Sequence, residues 1–145
     1  MSAYADTSFL VSLYILDANS RQIAAQAQKI SFPIILNSFG HLELMNAISL
    51  RVFRREITTS KANATQALIY KDLVDGILMV RPLATSSFER ALRIARRRTP
   101  QRGTRTLDVL HVASALELKA ERFYTLDLRQ ARLARAEGLS VAGLR

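Results

Sequence analysis

Cysteine is absent from the 145 residues, which excludes a disulfide scaffold, a thiol nucleophile and a thiolate metal site together. Histidine occurs only as His41 and His111. Any ion here would therefore be held mainly by oxygen, the preference of hard cations such as Mg2+ and Mn2+. The five glycines are scattered and form no GxGxxG or GxxxxGK loop, so a nucleotide cofactor cradled by backbone amides is not expected. Long apolar runs are missing too. The stretch from Phe9 to Leu16 falls far short of the roughly 20 residues that cross a bilayer, and the opening MSAYADTSFL carries Asp6 but no basic cluster. A soluble, cytoplasmic protein with no membrane partner is expected.

Hydrophobic residues make up 49% of the chain and charged ones 23%, enough core for one globular domain over residues 1–145 and too much for a disordered tail. Short apolar runs predict strands at Ser2 to Ala5, Pro33 to Leu36, Ile77 to Arg81, Phe123 to Leu126 and Ser140 to Ala142. Helical periodicity lies between them, at Ser8 to Leu16, Ser20 to Ile30, Gly40 to Arg55, Lys61 to Val74, Thr85 to Arg98, Leu107 to Leu118 and Leu128 to Ala136. Alternating strands and helices predict an α/β fold with a mainly parallel central sheet and helices on both faces. Thr99 to Thr106, with Pro100 and Gly103, reads as a loop.

Acidic residues are outnumbered 12 to 21, for a net charge of +9. The excess is concentrated: eight arginines stand between Arg81 and Arg105 against Glu89 alone. Codon bias accounts for the preference of arginine over lysine but less well for this clustering. Guanidinium is a good fork for phosphate oxygens, so Arg96, Arg97, Arg98, Arg102 and Arg105 are the residues expected to hold a nucleic-acid backbone.

Most acids, including Glu56, Asp72, Glu89, Glu117, Glu121 and Glu137, lie beside a basic residue or at an element's end, as solvated acids do. Four lie in apolar surroundings: Asp6 after the first strand, Glu43 in HLELMNAI, Asp108 in LDVLHVASAL and Asp127 after the fourth strand. Asp6 and Asp127 would stand at the carboxyl ends of parallel strands, where open sheets place their ligand crevice. Taken singly, Asp6 and Asp127 read more simply as helix caps, Asp108 as a first-turn acid and Glu43 as a solvated helix residue. Taken together in one crevice they would repel one another unless a divalent cation neutralised them. That combination points to hydrolysis of a phosphodiester. Asn46 and His111 each lie three residues after one of these acids, and both read more simply as ordinary surface and packing residues.

The strand followed by Asp6, Thr7 and Ser8, then Glu43, then Asp108, then Thr125 and Asp127 in YTLD, resembles the PIN-domain ribonucleases, especially the VapC toxins of bacterial toxin-antitoxin pairs. The resemblance covers essentially the whole chain. It implies a parallel sheet, Mg2+ or Mn2+ held by Asp6, Glu43, Asp108 and Asp127, and catalysis by these acids with Thr125. Thr7 and Ser8 match pocket hydroxyls. It further implies an RNA substrate, a cognate antitoxin and a homodimer. Two other classes compete: a haloacid-dehalogenase-like phosphatase, which would want an acid where Ser8 stands, and a non-catalytic basic RNA-binding or partner-binding module in which the acids are only caps.

Overall fold

Ala3–Ala5 is only three residues long, yet it is the central strand of the protein. The computed structural model describes residues 2–31 and 33–143. In it this strand, β1, pairs in parallel with β2 (Ile34–Asn37) on one side and with β4 (Arg122–Tyr124) on the other. Outside these lie β3 (Leu78–Arg81) and β5 (Ser140–Ala142), also parallel, giving the order β3-β2-β1-β4-β5. Small side chains and full burial suit β1 to this place. Ala3 and Ala5 face one core, and Tyr4, one residue out of phase, faces the other.

Among the described residues, seven helices cover the two faces. On the side of Ala3 and Ala5 lie α1 (Thr7–Tyr14), α2 (Ser20–Ala27), α3 (Ser38–Phe53) and α4 (Thr59–Val74), packed through Phe9, Leu10, Ile23, Leu44, Ile48 and Ile69. On the side of Tyr4 lie α5 (Thr85–Arg102), α6 (Thr106–Glu117) and α7 (Leu128–Ala136). Every residue of α6 from Asp108 to Ala115 is buried, so this helix is enclosed by the sheet, α5 and α7 rather than amphipathic. No helix among the described residues is long and apolar enough to cross a membrane.

The α/β architecture and the placing of helices on both faces follow the sequence-based expectation. Boundaries differ by a few residues, as at α1, which stops at Tyr14 and leaves Leu16 87% exposed. One difference has a clear physical cause. The segment from Thr99, expected as a loop, continues α5 for another turn to Arg102. Pro100 removes one hydrogen-bond donor near the end of the helix but does not stop it. Gly103 does, by adopting a left-handed conformation (φ 60°) and donating its N–H to Thr99 O at 2.8 Å.

Candidate active site

The sheet reverses direction of growth at β1: the chain adds β2 and β3 on one side, then crosses to build β4 and β5 on the other. This switch leaves a crevice at the carboxyl ends of β1 and β4. Asp6, immediately after β1, sits there 2% exposed and caps α1, its Oδ1 accepting from Phe9 N at 3.0 Å. Ser8 Oγ donates to the same oxygen at 2.7 Å, and Thr125 Oγ1, from the end of β4, donates to Oδ2. Burial nevertheless pushes the Asp6 carboxyl above its ordinary range, and these hydrogen bonds only partly offset it. Thr125 is itself fully buried and accepts from Asp127 N at 3.0 Å. Its backbone is held by Ala142 O, and Gly143 (φ 103°) packs so close that an added Cβ would stand 2.5 Å from Thr125 O. The end of β5 thus braces the strand that carries Thr125.

Glu43 comes from the other side, on α3. Its Oε1 accepts from Thr7 Oγ1 at 2.8 Å and contacts His111 Nε2 at 2.6 Å. Behind the imidazole, Tyr4 Oη lies 2.7 Å from His111 Nδ1. Burial alone would raise the Glu43 carboxyl, but the hydrogen bonds from His111 and Thr7 outweigh it and hold the group below its ordinary range. An ionised Glu43 can only accept, so His111 Nε2 is the donor in that contact, and Tyr4 Oη meets the other ring nitrogen. Burial, reinforced by the Asp6 charge, raises the pKa of that phenol and keeps it protonated. The chain Tyr4, His111, Glu43, Thr7 therefore ties together β1, α6, α3 and α1. Gly40 lets α3 close on the imidazole, since a Cβ there would come within 3.2 Å of His111 Cε1. His111 is the buried histidine that the sequence suggests, but it is buried against a site acid rather than among apolar groups alone.

Asp108 and Asp127 complete the wall. Asp108 lies in the first turn of α6, where Oδ2 accepts from Arg105 N at 3.3 Å. Burial raises its carboxyl, the backbone hydrogen bond from Arg105 opposes this, and the nearby Asp127 charge raises it further. Asp127 caps α7, accepting from Arg129 N at 2.8 Å and Gln130 N at 3.1 Å. Asp6, Glu43, Asp108 and Asp127 all line a single cavity of about 430 Å3, together with His111 and Gln130. Asn46 is exposed on α3 and is not in its lining.

The cap readings and the site readings are thus not alternatives, because Asp6 and Asp127 do both. As for a divalent cation, the donor set fits a hard ion: four carboxylates, two of them raised by burial, with hydroxyls beside them. Among the described residues, however, no three acid or histidine side chains stand close enough to enclose an ion as placed. Asp6 and Glu43 are instead turned onto scaffold hydrogen bonds.

The arginines expected to bind RNA divide. Arg97 and Arg98 are engaged with Glu137, at 2.5 Å and 2.6 Å, and Arg98 also reaches Ala136 O at 2.9 Å. Glu137, expected to be solvated, has a side chain only 8% exposed, because the two guanidiniums close over it. Arg96 and Arg102 form no ion pair among the described residues. Arg105 lines the acidic cavity. Sequence reasoning passed over Arg129, Gln130 and Arg132. Gln130 falls three residues after Asp127, the same helical spacing that links Asp108 to His111.

A parallel α/β domain with acids gathered at its switch point is the class of protein these features define. A family model for the PIN domain matches residues 3–136, and the chain belongs to the PIN-domain family. No curated protein matches it in sequence. Among solved structures it is similar to VapC20 of Mycobacterium tuberculosis, a toxin that cleaves the sarcin-ricin loop, with 17% identity, TM-score 0.72 and 99% of each chain covered. FitAcB of Neisseria gonorrhoeae is similar at 16% identity and TM-score 0.70, over 96% of this chain and 95% of that one. VapBC2 of Rickettsia felis, bound to a DNA fragment from its promoter, is similar at 16% identity and TM-score 0.68 over 98% of each chain. These likenesses are likenesses of fold.

Proposed function

We propose that the protein is a metal-dependent endoribonuclease and the toxin of a toxin-antitoxin pair, acting in the cytoplasm. The observation that carries this is the meeting of Asp6, Glu43, Asp108 and Asp127 on one cavity at the carboxyl ends of β1 and β4 in a PIN-family chain. Mg2+ or Mn2+ would be held by these acids. Bound there, the ion would supply positive charge and acidify water for attack on an RNA phosphodiester. The chain's own part is to aim the acids: Thr125 and Ser8 fix Asp6, while His111 and Thr7 fix Glu43. Support for the biological role comes from the toxin and toxin-antitoxin structures that share the fold. Exposed apolar side chains such as Phe53 and Tyr70 on α3 and α4, and Phe88 and Leu92 on α5, give an antitoxin and a second copy of the chain surfaces to cover.

An RNA digest in Mn2+, with EDTA as control, tests the reading. Wild-type protein should cut single-stranded RNA only with metal, and Asp108→Asn should lower the rate by roughly a hundredfold or more. Asp108→Asn should keep its metal-free melting temperature or raise it, since it removes a buried charge that Asp127 already disfavours. Asp6→Asn should lose cleavage as well. Wild-type protein that binds RNA but leaves it intact in Mn2+ would instead be the basic binding module.

A further inference from the structure

Beside the acidic cavity, and sharing Arg105, Asp108 and Asp127 with it, lies a second cleft of about 310 Å3 between the starts of α6 and α7. Its remaining wall is Leu128, Arg129 and Arg132. Resting on the nuclease reading above, we propose that this cleft binds the RNA backbone: Arg105, Arg129 and Arg132 hold phosphates next to the cut, and Gln130 Nε2 donates to an oxygen of the phosphodiester in the acidic cavity.

Three observations lead here. First, the three arginines are exposed and form no ion pair among the described residues, although Asp108 and Asp127 line the same cleft. Second, two of them are placed where a helix disfavours a cation. Arg105 is the N-cap of α6 and Arg129 lies in the first turn of α7; the Asp108 and Asp127 carboxylates bond backbone N–H groups of these same turns, and neither pairs with a guanidinium among the described residues. The positive end of each helix disfavours a guanidinium and favours an anion, a preference that the single carboxylate at each end meets only in part. Third, Gln130 is 3% exposed, lines the acidic cavity, and leaves Nε2 buried without a hydrogen-bond partner. Buried donors are almost always satisfied, so an orphan on a side chain that lines a ligand cavity points to an acceptor supplied from outside. A phosphodiester oxygen beside the acids is such an acceptor, and the same chain of phosphates would then run onto the arginines. Arg129 and Arg132, three apart on α7, present one face to it.

Anisotropy of a fluorescein-labelled single-stranded RNA of about 12 nucleotides, in EDTA so that nothing is cut, tests the cleft across roughly 50 to 200 mM salt. Arg129→Gln combined with Arg132→Gln should weaken binding about tenfold and reduce the slope of log affinity against log salt by about 1.4, the share of two phosphates on a single strand. Removing the same charge at Arg21 and Arg54, remote from the cleft in the chain, should change affinity less than about twofold. Gln130→Met has its own signature: it removes an unsatisfied buried donor, so it should raise the melting temperature while lowering RNA affinity a few-fold. Unchanged affinity and slope in the double arginine variant would overturn the cleft as an RNA site and leave its arginines to an acidic protein segment. If the wild type cuts RNA in Mn2+ while the cleft variants bind normally, only the cleft proposal falls. If the wild type neither binds nor cuts RNA, both readings fall.

Discussion

On α5, Arg97 and Arg98 reach Glu137 at the end of α7, and Arg90 reaches Glu117 at the end of α6 at 2.7 Å. At the starts of α6 and α7, Arg105, Arg129 and Arg132 meet no carboxylate at ion-pair distance among the described residues. The first group clamps α5 onto its neighbours. The second borders a cavity. Charge density along the chain is highest at α5, but charge still available to a polyanion is what remains after the internal partners are counted, and at Arg97 and Arg98 little remains.

The largest expected effect comes from breaking the clamp. Glu137→Gln leaves the two guanidiniums one neutral amide oxygen in place of two charged ones, and charged hydrogen bonds of this kind carry about 2 kcal/mol in total once solvent is allowed for. Urea unfolding should show that loss as a lower midpoint at unchanged slope. The same variant frees Arg97 and Arg98, so the salt dependence of RNA binding should steepen. A variant as stable as wild type would place the α5 arginines with the solvated ones and erase the contrast.

The acid limb of stability sharpens the same point. Burial alone would raise the Glu137 carboxyl, but the hydrogen bonds from Arg97 and Arg98 outweigh it and hold the group below its ordinary range. A depressed carboxylate contributes its full stability above the unfolded value of about 4.5, and that contribution is lost as pH falls from there through the folded value. Glu137→Gln should therefore narrow its deficit against wild type on acidification below about pH 4.5. Urea midpoints of both proteins across that window measure it. A deficit that stays constant would mean that Glu137 does not titrate with the fold.

These residues also show where sequence reading stops. Asp6 and Asp127 are legible because they follow the first and fourth expected strands, and parallel topology alone sends strand ends to the crevice, whereas Thr125, inside the expected fourth strand, is legible only through the family resemblance. Asp108 is legible from its place at the start of a strongly apolar helix. The partners of Glu137 are not, because about 40 residues separate it from Arg97 and Arg98 and no local pattern links them. His111 carries a local signal, its spacing from Asp108, but that points to the wrong acid. Its contacts are Glu43 and Tyr4, which depend on α3 crossing close at Gly40. Arg129 and Arg132 escape notice for a third reason. In sequence they lie in a stretch of α7 that looks like an ordinary basic helix, and only the fold sets them beside Asp108.

The smallest effect expected is on stability at the cleft, and its sign matters more than its size. Surface charges without partners hold nothing together, so Arg129→Gln with Arg132→Gln should shift stability by no more than about 0.5 kcal/mol. The shift should be upward. Arg129 lies at the positive end of α7 and both side chains share the cleft with Arg105, and the Asp108 and Asp127 carboxylates there, neither paired with them, offset this repulsion only in part, so removing the two charges relieves what is left of it. Because this gain is electrostatic and exposed, it should shrink as salt rises toward about 0.5 M, where screening lengths fall well below 10 Å. The clamp variant Glu137→Gln should keep most of its deficit under the same salt, its carboxyl site being 8% exposed. Urea midpoints for the two variants at low and high salt separate the cases. A cleft variant that lost more than about 1 kcal/mol would make Arg129 and Arg132 structural anchors, and weaker RNA binding in that variant would then reflect a loosened α7 rather than lost phosphate contacts.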